Sequence, residues 1–377
     1  MKIALAIDHF YPNKGGAEKS LLEILTALQE RGHSLQLCAM SWQTPMPLPI
    51  EFHRVRAAKF PRWRRNLSFA KNVSVLLKKL RPDLVMGVRH VVEADIFLAR
   101  GGLYCETLKS NLHARPSKLK TLEYRYLPKH RVLLDLERQL FTSDHPPLVI
   151  APSNFIKQHV LSNFCSLEPD RVLVVPNGTD LERFRPAEAT KRKEVRSALG
   201  ITDELVVLFA AHNFRLKGLQ CLLDAWRSLD AKQFRLLVAG RDKVPASASK
   251  FPNITFLGHH SKPFELYQAA DILVHPTFHD TFGRVILEAL ACGLPVVTTR
   301  FAGAAELMTN GQEGFVLDDP WQVSDLTQKI DCFRDANLLQ KFSKAARQCA
   351  EQFPKSVYLE KTVAAIEAEG RRKSASR

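Results

Sequence analysis

No stretch of the 377 residues approaches the roughly 20 consecutive apolar residues that a membrane-spanning helix needs. The opening, Met1 to Asp8, holds too short an apolar run for a secretory leader and reads as a first β-strand. The expectation is a protein that is soluble or held at a membrane surface. Seven cysteines, Cys38, Cys105, Cys165, Cys221, Cys292, Cys332 and Cys349, stand singly, with no CxxC pair and no zinc-ligand spacing. Buried thiols in a reducing compartment are the plain reading, against a disulfide framework or a structural zinc site. GxGxxG and GxxxxGK[ST] are missing from the first strand–loop–helix unit, which disfavours a dinucleotide enzyme and a P-loop NTPase. No DxD run stands at a strand end and no His, Cys and Asp cluster has metal-ligand spacing, so no metal is expected. Internal repeats, heptads and low-complexity tracts are absent too.

What is present is ordinary globular composition with an unusual charge. Hydrophobic residues make up 45% and charged residues 25%, and the length suffices for two domains of usual size. Lys and Arg outnumber Asp and Glu by 54 to 39, a net charge of +15. Such an excess calls for an anionic partner: a membrane surface, a nucleic acid, or a phosphorylated or otherwise anionic substrate.

Residues 3–7 are a short apolar run ending at Asp8, the pattern of a buried parallel strand. A loop through Gly15 and Gly16 leads to a helix over 17–31, whose Leu21, Leu22, Ile24, Leu25 and Leu28 mark one face and which Gly32 ends. The glycine pair lets backbone approach a ligand just ahead of a helix N-terminus, and equally it relieves a tight turn. Further strands are expected at 35–39, 83–88, 148–151 and 172–175, with a helical, basic stretch over 117–141. The turn at 176–180 and the polar stretch at 185–196 mark a domain junction. The pattern then restarts, with strands at 205–210, 235–239, 254–257, 271–275 and 295–299, and helices over 218–226 and before Gly293. Two successive α/β domains follow, 1–180 and 181–355, each with ligand loops at its strand ends. A last helix over 357–369 precedes a basic cluster, Arg371, Arg372 and Lys373, expected to fray.

The densest chemistry lies at 279–297. Asp280 follows the apolar strand at 271–275, and Glu288, eight residues on, sits inside a short helix. In an open parallel sheet such strand ends line the ligand crevice. A helix opening near Phe282, Gly283, Arg284 and Val285 offers backbone N–H groups to an anion. Arg215 and Lys217 stand at the end of the strand at 205–210, where two cations hold a diphosphate and neutralise it as it leaves; surface solvation is their plain alternative. Glu288 suits the vicinal diol of a ribose, and Asp280 that of a pyranose. Together these four side chains describe a site for a nucleotide diphospho-sugar.

With these residues the sequence resembles the retaining glycosyltransferases of the GT-B fold, in the group whose signature is a Glu, seven residues, then a Glu. The likeness runs through 280–288 and the following ALACGLPVV, then GAAE at 303–306, FRLKG at 214–218, PNGTD at 176–180 and GGAE at 15–18. The first acid is Asp280 where the family has glutamate, and the shorter arm implies a shifted sugar or a different hydroxyl configuration. Short matches such as RGH at 31–33, EYRY at 123–126 and GRDK at 240–243 are similar to the bacterial enzymes that add the first glucose to the heptose region of the lipopolysaccharide inner core. The resemblance implies two Rossmann-like domains facing across a crevice, and a C-terminal helix, 356–377, returning to the first. It implies a UDP-sugar donor and retaining transfer of a hexose to the heptose region of a lipopolysaccharide core, or to another glycan or glycolipid. Gly15 and Gly16 would bring N–H groups to the distal phosphate, and Arg215 and Lys217 would bind the diphosphate. Glu288 would hold the ribose and Asp280 the sugar hydroxyls, assisted by main-chain groups of 282–285. Asp95, or His90, would contact the acceptor or the sugar 6-hydroxyl, a structural role for His90 being equally open. With no obvious nucleophile, retention points to front-side attack, in which positioning and charge stabilisation carry catalysis.

The segment 54–71, with Lys78, Lys79 and Arg81 beyond it, mixes cationic and bulky apolar side chains. That mixture suits an anionic lipid surface, or nucleic acid, or a solvated face with one or two aromatics in the core. In the relatives a basic amphipathic patch of the first domain docks on the inner leaflet, a part that 54–71 and the helix at 117–138 would play here. The resulting expectation is a cytoplasmic, monomeric protein, peripheral on the inner face of the cytoplasmic membrane, taking a lipid-linked saccharide and no nucleic acid. A nucleotide-sugar epimerase or hydrolase on the same scaffold, and a non-catalytic binder of anionic lipid, are the rivals.

Overall fold

Short, uninterrupted apolar runs become the central strands of two parallel sheets, each belonging to one of two compact units. The computed structural model describes residues 1–12, 15–88, 91–260 and 262–375. The first unit holds Met1–Pro176 and Ser356–Arg377, the second Asn177–Lys355.

The first unit runs β1 (Lys2–Ala6), β2 (His9–Phe10), α1 (Gly16–Glu30), β3 (Ser34–Ala39), β4 (Ser41–Trp42), β5 (Glu51–Arg54), α2 (Arg62–Leu80), β6 (Leu84–Gly87), β7 (Ile96–Leu98), α3 (Tyr104–Ala114), α4 (Lys118–Tyr126), α5 (Pro128–Phe141), β8 (Leu148–Ala151), α6 (Asn154–Asn163) and β9 (Val172–Val174). Its sheet is parallel throughout, in the order β5-β3-β1-β6-β7-β8-β9, and β2 pairs with β4 beside it. Alternate residues of β1 serve two cores. Ile3 and Leu5 pack with Leu21, Ile24, Leu25 and Leu28 of α1, while Ala4 and Ala6 face Phe69, Val73 and Leu77 of α2. Burying each such Leu or Ile stabilises the fold by about 1.5–3 kcal/mol. The helical stretch expected over 117–141 is two helices. Pro128 has no N–H and holds Leu127 extended (φ −70, ψ 132), so one helix ends and the next begins there.

The second unit runs α7 (Ala189–Ala198), β10 (Leu205–Ala210), α8 (Leu219–Trp226), β11 (Phe234–Ala239), β12 (Ile254–Gly258), α9 (Pro263–Ala269), β13 (Ile272–His275), α10 (Arg284–Ala291), β14 (Val296–Thr299), β15 (Gly314–Leu317), α11 (Val323–Asp331) and α12 (Ala336–Glu351). Its parallel sheet has the order β12-β11-β10-β13-β14-β15. The chain reverses its direction of travel across the sheet between β10 and β13, and a doubly wound sheet leaves its ligand crevice at that point, outside the carboxyl ends of the two strands. The units divide after Pro176, earlier than the expected boundary at 180. The reason is backbone pairing: Thr179 N–H donates to the Phe353 carbonyl (3.0 Å) and Lys355 N–H to that of Thr179 (2.9 Å).

Helix α13 (Lys355–Ala375) lies in the first unit from Ser356 onward, with Tyr358, Val363 and Ile366 in the same core as Ile3 and Leu5. The basic cluster expected to fray is helical instead, and Arg372 and Lys373 are paired. The carboxylate of Glu369, itself buried, takes Arg171 (2.9 Å) and Arg372 (2.8 Å), and Lys373 pairs with Asp95 (2.6 Å). Burial opposes ionisation of Glu369, but Arg372 and Arg171 hold its carboxyl down to about 2. Among the described residues no helix is long and apolar enough to cross a membrane.

Candidate functional site

The loops after β10 and β13 meet at the switch point of the second unit because a glycine lets them. Gly218 sits at φ +79, and a Cβ there would lie 1.8 Å from the Pro276 carbonyl oxygen. The neighbouring backbone is stitched across the same gap. Phe278 N–H donates to the Leu216 carbonyl (2.9 Å), and the Thr277 hydroxyl donates to the same oxygen (3.1 Å). Lys217 is thereby laid against the loop of Asp280. Its Nζ stands 2.6 Å from Asp280 Oδ2 and donates to the His279 carbonyl at 2.8 Å. His275, the last residue of β13, brings Nε2 to the same Oδ2 at 3.2 Å. The Asp280 backbone is fixed as well, its N–H donating to Phe301 (2.8 Å) and its carbonyl accepting from Gly303 (3.0 Å).

This setting decides the charges. Burial opposes ionisation of Asp280, but the Lys217 ammonium and the His275 ring hold its carboxyl well below the usual carboxylate range. His275 is pushed down by burial, against the pull of Asp280, which favours its neutral form. Lys217 and Asp280 thus form a close ion pair, so the lysine expected at the diphosphate also gives one of its hydrogens to Asp280. Arg215, two residues earlier, is exposed in the same loop.

Gly283 caps α10 in the left-handed region (φ +85), so the helix starts at Arg284, two residues later than Phe282. Phe282 is buried in the core and its carbonyl accepts from Ala304 N–H (2.6 Å). The first turn, Arg284 and Val285, presents N–H groups that the helix itself does not use. A Cβ on Gly283 would lie 3.5 Å from the Asp280 carboxyl carbon, so that carboxylate sits against the helix N-terminus. Glu288 is one turn further along α10, about 6 Å at the rise of an α-helix. Its Oε2 accepts from the hydroxyl of Tyr267 in α9 (2.9 Å), and Arg284 Nε stands 3.9 Å from Oε1. Burial and the Glu288 charge keep the Tyr267 phenol protonated, well above its ordinary range. Sequence patterning did not indicate Tyr267 or the contact of His275 with Asp280. An aromatic in an apolar helix and a histidine closing a strand read as core.

In the first unit Gly15, extended at φ −170, caps α1, and Gly16 is the first helical residue, both following the carboxyl end of β1. Nearby opens a cavity of about 530 Å³ lined by Asp8, His9, Tyr11, Glu18, Ser41 and Arg100 among others. Arg100 is buried, donates to the Tyr358 hydroxyl and lies over that ring at 5.3 Å; Ser20 shares the same hydroxyl at 2.8 Å. Asp95 does not belong to this group. It precedes β7, at the amino end of the strand, where Oδ2 takes Val85 N–H (2.7 Å) and Lys373 Nζ (2.6 Å). Parallel sheets present ligands at the opposite edge, so its assignment to acceptor or sugar is corrected to a tie between the sheet and α13. His90 lies outside the described residues.

Residues 14–183 match the family model described as Glycosyltransferase Family 4, and residues 204–333 that described as Glycosyl transferases group 1. The chain is 25% identical over 344 residues, 88% of each chain, to the lipopolysaccharide glucosyltransferase WaaG of Escherichia coli strain K12. The crystal structure of WaaG superposes with a TM-score of 0.85 at 24% identity, covering 97% of this chain and 99% of that one. Anabaena Alr3699/HepE, solved with UDP and glucose, gives a TM-score of 0.74 at 20% identity over 98% and 99% of the two chains. The group 1 segment spans the whole second sheet and the family 4 segment runs from α1 through β9 of the first, and the fold is shared along nearly the whole length. This chain belongs to the GT-B glycosyltransferases, with a family 4 segment ahead of a group 1 segment.

Proposed function

We propose that this glycosyltransferase is retaining, takes a UDP-sugar as donor, and moves its hexose to the heptose region of a lipopolysaccharide core. The observation that carries the donor site is the cluster at the switch point of the second unit: Lys217 against Asp280, Arg215 beside them, the N-terminus of α10 behind, and Glu288 one turn along. Arg215, Lys217 and the first N–H groups of α10 serve the diphosphate, Glu288 the ribose, and Asp280 the hydroxyls of the transferred sugar. In the first unit, Gly15 and Gly16 offer main-chain groups to an anion ahead of α1. Front-side attack needs no protein nucleophile: the acceptor hydroxyl approaches on the leaving-group face and the departing phosphate oxygen takes its proton. The name of the Escherichia coli relative supports glucose and a lipopolysaccharide acceptor. The polar cavity of the first unit, with hydroxyl, carboxylate and guanidinium groups on its wall, suits a saccharide.

A donor screen tests this reading. Each common nucleotide sugar is mixed with the protein, and nucleotide release is followed with and without core-truncated lipopolysaccharide in detergent. Release from one donor only with acceptor is the expected result; equal release without acceptor makes the protein a hydrolase. In the same assay Glu288→Ala weakens donor binding roughly 10- to 100-fold, the cost of losing hydrogen bonds to a charged group. Unchanged affinity removes Glu288 from the ribose.

The proposal extends to an anionic membrane surface, on the cytoplasmic face of the inner membrane. Helix α4 has no fully buried residue, and Leu119, Leu122 and Tyr126 stand exposed at helical spacing among Lys118, Lys120 and Arg125. Phe60, 83% exposed, precedes Arg62 and Arg64 at the start of α2. Phe69 of the same segment is core. Each cation near such a surface contributes about 1 kcal/mol. Replacing Arg62, Arg64, Leu119 and Leu122 by Ser is expected to lower binding to anionic vesicles at least tenfold and to leave neutral vesicles unaffected. Native sedimentation with anionic vesicles would place the contact elsewhere.

A further inference from the structure

Asp280 offers its two oxygens unequally. Oδ2 takes both Lys217 Nζ at 2.6 Å and His275 Nε2 at 3.2 Å. Oδ1 makes no hydrogen bond among the described residues, and the side chain is 18% exposed. His275 itself is 1% exposed, and its carbonyl is tied to the Thr298 hydroxyl at 2.8 Å. Its Nδ1 is buried without a hydrogen-bond partner among the described residues, while Nε2 faces an ionised carboxylate that can only accept. The ring proton therefore belongs on Nε2, and a neutral imidazole donates.

We infer that His275 is a positioning residue, which holds Oδ2 of Asp280 on the protein side and so presents Oδ1 to a hydroxyl of the transferred sugar. This rests on the reading of Asp280 as the sugar ligand. Lys217 alone does not fix the carboxylate, because an arriving diphosphate competes for the hydrogens of its ammonium. A buried, uncharged donor keeps the carboxylate oriented while Lys217 turns to phosphate, and it draws no counter-charge from the leaving group. It also compensates for the shorter arm of an aspartate, whose orientation is otherwise set by a single torsion beyond Cβ.

The test compares His275→Met, which fills the space without a donor, with His275→Gln, whose amide N–H replaces Nε2–H. Thermal midpoint, UDP affinity, kcat and KM for the donor, and the ratio of kcat/KM between the donor and its sugar epimers are measured for each. His275→Met is expected to leave UDP affinity within about twofold, to lower kcat/KM roughly 10- to 100-fold, and to narrow epimer discrimination, with His275→Gln recovering most of both. Native kcat/KM and discrimination in His275→Met overturn the inference, as does His275→Gln falling equally far. If His275→Met does not fold, His275→Asn, whose shorter amide stops short of Asp280, takes its place, with impaired discrimination expected and native discrimination overturning. Asp280→Asn separates the two levels. A large loss there with His275→Met silent sinks this inference alone, whereas native kinetics in Asp280→Asn sink the reading of the sugar site.

Discussion

Lys217→Ala is expected to lower kcat about a thousandfold and to change donor KM by much less. Charge builds on the diphosphate as the glycosidic bond breaks, so a cation fixed beside it stabilises the transition state more than the ground state. Removing one such donor typically costs 2.7–4 kcal/mol, about 10²–10³ in kcat. Lys217 is preorganised for that part. Its stem is laid down by the backbone bonds at Leu216, and its ammonium is anchored on the His279 carbonyl at 2.8 Å and Asp280 at 2.6 Å. Lys217→Arg does not restore the rate, because a planar guanidinium does not fit a seat built around a compact ammonium. Steady-state kinetics on the assigned donor decide the matter: a rise in KM with kcat intact would mean that Lys217 serves only ground-state binding.

Gly218→Ala is expected to be among the most damaging single methyl additions in the second unit. A Cβ would stand 1.8 Å from the Pro276 carbonyl oxygen, and both partners are backbone, so no side-chain rotation relieves the clash. The loops after β10 and β13 must part, which carries Lys217 away from Asp280. A loss above about 4 kcal/mol is expected, together with loss of donor turnover. Gly32→Ala isolates the conformational part of this effect. It has nearly the same φ, +80 against +79, and nothing within 4 Å of its Cβ position. Left-handed backbone alone costs about 1–2 kcal/mol. Comparable thermal midpoints for the two variants would mean that the loop contact at Gly218 is soft.

The same two loops show where sequence reasoning stops. Strands 205–210 and 271–275 are plain in the sequence because they are short apolar runs bounded by polar residues, and the sheet forms them at β10 and β13. Their loop residues, Arg215, Lys217 and Asp280, are legible as strand-end groups for that reason. That Lys217 and Asp280 touch is not legible, since periodicity says nothing about two positions in separate loops, and Gly218 reads only as a helix start. Asp95 fails differently. The sequence reading gives 91–98 no strand and so leaves Asp95 trailing the strand at 83–88, whereas β7 at Ile96–Leu98 makes it an acid that precedes a strand. The edge strand β5 escaped notice because Glu51 and Arg54 are exposed and leave no apolar run. The basic end of α13 looked like a solvated tail, and only the buried carboxylate of Glu369 and the acid of Asp95 make it structure.

Helix α13 also sets an order of completion during synthesis. The core around Ile3, Leu5 and Leu21 includes Tyr358, Val363 and Ile366, so the first unit draws on both ends of the chain. A ribosome releases all of Asn177–Lys355 before the last strip of that core exists. The second unit can therefore close while the first still exposes the apolar surface under α13, and the half translated first is the half sealed last. Until then the nascent first unit is a surface that chaperones or neighbouring chains can bind.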